Sequence, residues 1–366
     1  MTSYNIALSP GDSVGKELIS QVKKMFTALE KVSDATFTLF EFESCNPAIN
    51  RFGTALREKD LSEATHCQAI LFGNLGNSSS RPEKPEQSPV YALTAARNAF
   101  RVCTNVRPVR IMPEYESLSP LKQEIIRNGM DILIVRDLMG GMITGARHQR
   151  EGIYGREASD LEYYNEQIVQ YSANFAFSAA LSRHCKITSI DKANVLSSSK
   201  LWRDTVKEVG SHYPGIALSH DYVDNAAMKL LVSPWDYDVI LTSNVFGDIL
   251  ADEVAQISGA PWLFGSAELA MDGRGIYTPN QLHHPKGDQL AGKGLVSPYG
   301  ILDAVSLLLR YSCKRPDLAD LVHCAVRNAV HQHLFTAESL PEGGIAVTTE
   351  ELGDFIAASL NRPDSD

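Results

Sequence analysis

At 366 residues with 44% apolar side chains, the chain is long enough for two compact domains, or for one large α/β unit with an interleaved second lobe. A formal charge of −10 with no basic cluster argues against a nucleic-acid-binding surface, and no apolar run approaches the roughly 20 residues that span a bilayer. The six cysteines (Cys45, Cys67, Cys103, Cys185, Cys313, Cys324) lack CxxC spacing, and Met1-Thr-Ser-Tyr-Asn-Ile6 has no signal-peptide layout, so a reducing cytoplasm is the expected setting. Three cysteines follow a histidine, at His66, His184 and His323. Neighbours in a strand or helix point apart, so buried free thiols are expected there rather than zinc ligands.

Strand-like and helix-like patterns alternate along the chain. Asn5-Ile-Ala-Leu-Ser9 precedes Gly11-Asp-Ser-Val-Gly15 and a helical stripe through Leu18, Val22 and Phe26; Ala69-Ile-Leu-Phe72 precedes a loop and a helix ending near Ala99. The loop, Asn77 to Pro89, is rich in Ser and Pro and carries Arg81 and Lys84. Asp131-Ile-Leu-Ile-Val-Arg136, Lys186-Ile-Thr-Ser-Ile190 and Tyr237-Asp-Val-Ile-Leu-Thr242 are further strands. The pattern predicts an α/β fold with at least partly parallel sheets. Between Ile143 and Tyr164 the chain is polar, which suits strands or an arm packed on a partner chain.

Asn244-Val-Phe-Gly-Asp-Ile-Leu-Ala-Asp252 places Asp248 and Asp252 one turn apart on a helix. Carboxylates at this spacing repel unless a cation lies between them, and hard oxygen ligands suit Mg²⁺ or Mn²⁺. First-turn acids also favour the helix dipole, so the spacing alone leaves both readings open. Asp224, where another helix is expected to begin, is a third candidate ligand. Arg97, Arg107 and Arg136 are placed where strands or helices are expected to end, and guanidinium groups grip carboxylates with paired donors. Salt-bridged surface arginines are the ordinary alternative. Lys192, after a strand, and Tyr154, in a polar stretch, are candidates for proton transfer, with solvation and packing as their ordinary roles.

Taken in order, Gly11-Asp-Ser-Val-Gly15, Asn105-Val-Arg-Pro108, Val135-Arg-Asp-Leu-Met-Gly-Gly141, Arg150-Glu-Gly-Ile-Tyr154, Asp191-Lys-Ala-Asn-Val-Leu196, Tyr222-Val-Asp-Asn-Ala-Ala-Met228, the Asn244 to Glu253 segment and Ala291-Gly-Lys-Gly294 resemble the isocitrate and 3-isopropylmalate dehydrogenase family, from about Asn5 to Asp354. The resemblance implies a two-lobed α/β fold with a large mixed sheet, not a Rossmann fold. Residues 1–102 with 259–366 would form a cofactor-side lobe, and 103–258 the substrate, metal and dimer lobe, with substrate in the cleft between them. It implies Asp224, Asp248 and Asp252 as metal ligands, Lys192 and Tyr154 as the proton-moving pair, and Arg97, Arg107 and Arg136 as substrate carboxylate binders. It also implies an NAD site that includes Asn194 and the His284 to Leu290 loop. The implied reaction is oxidation and β-decarboxylation of a malate-type 2-hydroxy acid, in a homodimer where Lys192 and Asp224 reach the other chain's site.

The chain departs from the family pattern at the cofactor loops. His284-Pro-Lys-Gly-Asp-Gln-Leu290 keeps the histidine and a final apolar residue, Leu290, but places Gln289 where an acid meets the ribose. Asp288, one place earlier, would favour NAD by repelling a 2′-phosphate, whereas Lys286 would suit NADP. Ser13 and Lys16 stand where Gly and Pro are usual. On the helix before Arg97, Tyr91 and Leu93 replace the Ser and Asn of isocitrate enzymes, and Thr94 replaces a second leucine of isopropylmalate enzymes. A buried third carboxylate would lack partners there, so a 3-substituted malate is expected, with D-malate or tartrate as alternatives. Two further classes compete: a non-catalytic regulatory relative, and a metabolite-binding protein without redox activity.

Overall fold

A computed structural model describes residues 2–76, 84–280 and 283–361; Arg81 lies outside them. The chain forms two compact units, Met1–Val102 with Ala260–Asp366, and Cys103–Gly259.

In chain order, the first unit begins with β1 (Thr2–Gly11), α1 (Gly15–Val32), β2 (Ala35–Glu41), α2 (Cys45–Phe52), α3 (Glu58–Ala64), β3 (Ala69–Asn74) and α4 (Pro89–Phe100). The chain then enters the second unit through β4 (Val102–Ile111), α5 (Gln123–Ile126) and β5 (Met130–Asp137), followed by β6 (Arg147–Gly152), β7 (Gly155–Asp160), α6 (Glu166–Ala180), β8 (Lys186–Asp191), α7 (Ser197–Gly210), β9 (Ala217–Tyr222), α8 (Val223–Leu230), β10 (Val239–Thr242) and α9 (Asn244–Ile257). It returns to the first unit with β11 (Gly265–Ala270), β12 (Gly275–Pro279), α10 (Gly287–Leu290), α11 (Tyr299–Tyr311), α12 (Pro316–His331) and α13 (Thr349–Ala358).

The first unit's strands run in the order β2-β1-β3-β12-β11. Neighbours are parallel except β11 against β12. This antiparallel closing pair separates the sheet from the all-parallel 3-2-1-4-5-6 dinucleotide fold. The stripe Leu18, Val22 and Phe26 of α1 is buried as its spacing requires, and α11 is buried over nearly its whole length. Thr348 and Glu351 form a capping box that starts α13.

In the second unit the order is β4-β5-β10-β8-β9, with β4 antiparallel to β5 and the others parallel. Val239, Ile240 and Leu241 on β10 and Ile132, Ile134 and Val135 on β5 are fully buried, as continuous apolar runs in covered parallel strands should be. Helix α6 starts where the Asn165 side chain accepts the Ile168 N–H, and it buries Val169, Ala173, Ala176, Phe177 and Ala180, a single 3.6-residue face. The polar segment after Ile143 forms a separate antiparallel hairpin, β6–β7, with Ile153 and Tyr154 almost fully exposed at its turn. Of the three cysteines that follow a histidine, Cys67 is buried as expected, whereas Cys185 and Cys324 are only half-buried. Among the described residues no helix is long and apolar enough to cross a membrane.

Candidate active site

Parallel strands deliver their C-terminal ends to one edge of a sheet, and in the second unit those ends carry the polar groups. Arg136, the penultimate residue of strand β5, lies in register with Thr242 of β10, two residues before α9 begins. Its buried guanidinium donates to Asn244 Oδ1 through Nε at 3.2 Å and Nη2 at 2.8 Å, and through Nη1 to Asp248. Asn244 is itself fixed: its Nδ2 donates to the Gly140 carbonyl at 2.9 Å, and its backbone N–H to Tyr164 Oη at 2.8 Å. Gly247 passes so close that a Cβ there would sit 2.6 Å from Arg136 Cγ, which accounts for glycine in the Asn-Val-Phe-Gly-Asp run. Beneath this layer, burial raises the Asp137 carboxyl to about 6, against the opposing pull of Gly140 N–H and other donors; burial likewise raises the Tyr164 phenol.

Arg107 Nη1 donates to Asp252 at 2.8 Å, while its Nε is buried without a hydrogen-bond partner. An orphaned guanidinium donor of this kind is suited to an incoming carboxylate. Arg107 stands in the middle of β4 rather than at a strand end, contrary to the placement expected from sequence. Asp248 and Asp252 occupy one face of α9, each against an arginine and each more than half exposed. The repulsion expected of the pair is thus relieved by guanidinium groups.

Lys192 and Asp224 meet for a topological reason. Strands β8 and β9 are adjacent and parallel with Asp191 opposite Tyr222, so the residues just beyond them emerge together. Lys192 Nζ donates to Asp224 at 2.5 Å, and this bond holds the Asp224 carboxyl below its ordinary range. Asp191 accepts two bonds from Arg203, at 2.8 and 2.9 Å, and one from Ala193 N–H at 2.8 Å, which anchors the turn carrying Lys192. Asn194 is exposed in that turn. Among the described residues no group of three acidic, histidine or cysteine side chains is arranged to hold a metal, so Asp224 does not join Asp248 and Asp252 within one chain. Tyr154, at the hairpin turn, is 92% exposed.

In the first unit, Arg97 on the last turn of α4 donates side-on to Glu268 of β11, Nε at 2.7 Å and Nη2 at 2.5 Å. Leu93, one turn earlier, is buried, and Thr94 is exposed with its hydroxyl donating to the Val90 carbonyl. His284 is held at three points: its N–H donates to Asn74 Oδ1, its Nδ1 accepts the Lys286 N–H, and its Nε2 lies 2.8 Å from Glu338. An accepting Nδ1 makes Nε2 the donor to Glu338. Gly287 packs over Ser13, where a Cβ would come within 2.7 Å of Ser13 Oγ. Lys286, Asp288 and Gln289 are exposed, and Leu290 is half-buried. Burial raises the Asp12 carboxyl, and nearby Asp288 adds to the shift. The Ala-Gly-Lys-Gly segment presents the Gly292 and Gly294 amides, and both donate to the Glu17 carboxylate.

Sequence reasoning missed Glu268, Glu338, Glu17, Asn244 and Tyr164. Asn244 carried a signal, since it opens the same helix as Asp248. The others act on partners too distant in sequence to leave a spacing.

Solved structures share this architecture. A crystal structure of isocitrate dehydrogenase from Methylococcus capsulatus superimposes with a TM-score of 0.81 at 22% identity, covering 98% of this chain and 100% of that one. A β-decarboxylating dehydrogenase from Thermococcus kodakarensis gives 0.74 at 26% identity, covering 98% and 96%. The fold is therefore that of the decarboxylating dehydrogenases. In sequence, the chain is 40% identical over 365 residues to the 3-isopropylmalate dehydrogenase of Sodalis glossinidius, covering 98% of both, and 38% identical over 357 residues to that of Escherichia coli O157:H7, covering 97% of both. The sequence profile of the isocitrate/isopropylmalate dehydrogenase family matches residues 5–356. The chain belongs to this family and is an oxidative decarboxylase acting on a 2-hydroxy acid.

Proposed function

We propose that the chain oxidises and decarboxylates a 3-substituted malate, 3-isopropylmalate or an analogue, with NAD and Mg²⁺ or Mn²⁺, as a homodimer that shares its active sites. The observation that carries this reading is the pairing of Arg136 with Asp248 and of Arg107 with Asp252, which sets carboxylate grips directly beside hard-oxygen ligands. The donor set fits a divalent cation. Asp248 and Asp252 lie on one exposed helix face, and Asp224 is carried on another element beside Lys192. That Asp224 stands apart from the other two within one chain supports its service, with Lys192, in a partner's site. Exposed Met228, Leu231 and Val232 after Asp224, and the exposed β6–β7 turn, support a dimer contact.

When bound, the dinucleotide supplies a hydride acceptor, and the cation supplies a Lewis acid for the C2 oxygen. The protein's part begins with binding. Arg107 and Arg136 hold the two malate carboxylates, with Arg97 assisting from α4, and thereby fix C2 for loss of hydride. Lys192 accepts the hydroxyl proton as the C2 carbonyl forms. The carboxylate on C3 then leaves as CO₂, its bonding electrons passing into the enolate. Tyr154 returns a proton to C3 and completes the 2-oxo acid. Asp288, exposed on the loop after His284, supports NAD over NADP, since a 2′-phosphate there would meet an acid. Nucleic-acid and membrane partners have no part in the reading.

The testing experiment is reduction of NAD and NADP by the purified chain with Mg²⁺ or Mn²⁺ across 3-isopropylmalate, D-malate, tartrate, isocitrate and homoisocitrate. Reduction with 3-isopropylmalate or a close analogue is expected. A chain that binds no dinucleotide in calorimetry would be a regulatory or metabolite-binding relative.

A further inference from the structure

Arg136 and Asp137 end strand β5, and adjacent strand residues point to opposite faces of a sheet. Tyr164 joins the two faces. Its hydroxyl donates to Asp137 and accepts from the Ser243 hydroxyl and, at 2.8 Å, from the Asn244 backbone N–H. A phenol has one proton to donate and two lone pairs, so the group is fully engaged. Asp137 is fixed in turn by the Gly140 N–H at 2.7 Å and the Ser172 hydroxyl at 3.2 Å. The Tyr164 ring is held as closely. It stands edge-on to Trp202 with centroids 5.4 Å apart, and a Cβ on Gly140 would collide with its Cε1. Ser243 and Asn244 begin α9, so this one hydroxyl anchors the helix at its first turn, where backbone N–H groups have no partner within the helix.

We propose that Tyr164 is a positioning residue for the malate: by anchoring Asn244, it sets the Arg136 guanidinium that grips a substrate carboxylate. This rests on the reading that Arg136 binds the malate. Asn244 Oδ1 accepts from both Nε and Nη2 of Arg136, which fixes the guanidinium plane and leaves the outer Nη donors for Asp248 and an incoming carboxylate. Asn244 is also neutral, so it orients Arg136 without cancelling the charge that attracts the substrate. Asp248, the charged partner, is more than half exposed, whereas Asn244 is buried and stays in place. A carboxylate held by Arg136 is held in the ground state as well as the transition state, so displacing the guanidinium weakens binding more than it slows chemistry. Tyr164 touches no substrate in this account and acts through Asn244.

The test compares wild type, Tyr164→Phe, Asn244→Ala and the double variant, measuring KM and kcat for 3-isopropylmalate, with its affinity and that of NAD followed by calorimetry in Mg²⁺. Tyr164→Phe keeps the ring and removes the hydroxyl, so KM and Kd for the malate should rise on the order of tenfold while kcat stays within about twofold. NAD affinity, set by loops of the other unit, should be unchanged. Because the effect runs through Asn244, the double variant should bind the malate no more weakly than Asn244→Ala alone. If Tyr164→Phe does not fold, Gly140→Ala, which displaces the ring, takes its place with the same expectations. Malate affinity unmoved in a folded variant, losses that multiply in the double variant, or equal weakening of malate and NAD each overturn the role of Tyr164 alone. A wild-type chain silent on every malate overturns the functional reading, and this inference with it.

Discussion

At the scale of single residues, Gly247 lies against the Arg136 side chain so closely that a Cβ would be 2.6 Å from Arg136 Cγ. Gly247→Ala would bring a Cβ against Arg136 Cγ and shift the guanidinium from Asn244. A loss of about 1–3 kcal/mol in stability is expected from the overpacking. KM for the malate should rise more steeply than stability falls, as denaturant unfolding and steady-state kinetics together would establish. Lys192→Ala should abolish turnover with the far-ultraviolet circular dichroism spectrum unchanged, because the side chain lies outside the apolar core. Full activity in that variant would exclude the lysine as the base.

His220 gives a residue-scale dependence on pH. Both ring nitrogens are buried without hydrogen-bond partners, and burial holds the imidazole down at about 4, with Arg203 and Lys207 pushing the same way and Asp191 and Asp204 opposing. A folded value below the ordinary 6.5 means that the neutral ring's stabilising contribution is complete above 6.5 and is lost as pH falls toward 4. Allowing for partial exposure, the loss is roughly 1–2 kcal/mol. His220→Leu should show a correspondingly shallower fall in unfolding free energy between pH 6.5 and 4, measured by urea titration.

At the scale of elements, the ends of strands and starts of helices carry the chemistry. Helix α9 presents Asp248 and Asp252 beside Arg136 and Arg107, so Asp248→Asn with Asp252→Asn should weaken Mg²⁺ binding by at least about tenfold in calorimetry. Unchanged Mg²⁺ affinity would place the cation elsewhere. Elements were also what the sequence disclosed best. The alternation of β1, α1, β3 and α4, and the runs that became β5, β8 and β10, follow from local periodicity, which a single chain displays directly. Arg107 was misplaced because the following Pro108 reads as a strand boundary, yet β4 continues to Ile111. Glu268 binds Arg97 across 171 positions, and Glu17 binds Gly292 across 275. No period or motif connects residues so far apart, and only the folded topology brings them together.

At the scale of the molecule, family membership defines the chemistry, and the proposed dimer adds a requirement that one chain cannot meet. If Lys192 and Asp224 serve the partner's site, then inactive Lys192→Ala and Asp248→Asn chains, refolded together, should regain about a quarter of wild-type activity, since random pairing makes half the dimers mixed and each mixed dimer holds one intact site. No recovery, with mixed dimers verified by mass spectrometry, would mean that each chain works alone.

Metal-assisted oxidative decarboxylation is tested by simultaneous recording of NADH and CO₂ from the purified chain with 3-isopropylmalate, NAD and Mg²⁺, before and after chelation of the metal. Equal amounts of both products, lost on chelation and restored by Mg²⁺, are expected. NADH without CO₂, or turnover indifferent to the chelator, would contradict a metal-assisted oxidative decarboxylation.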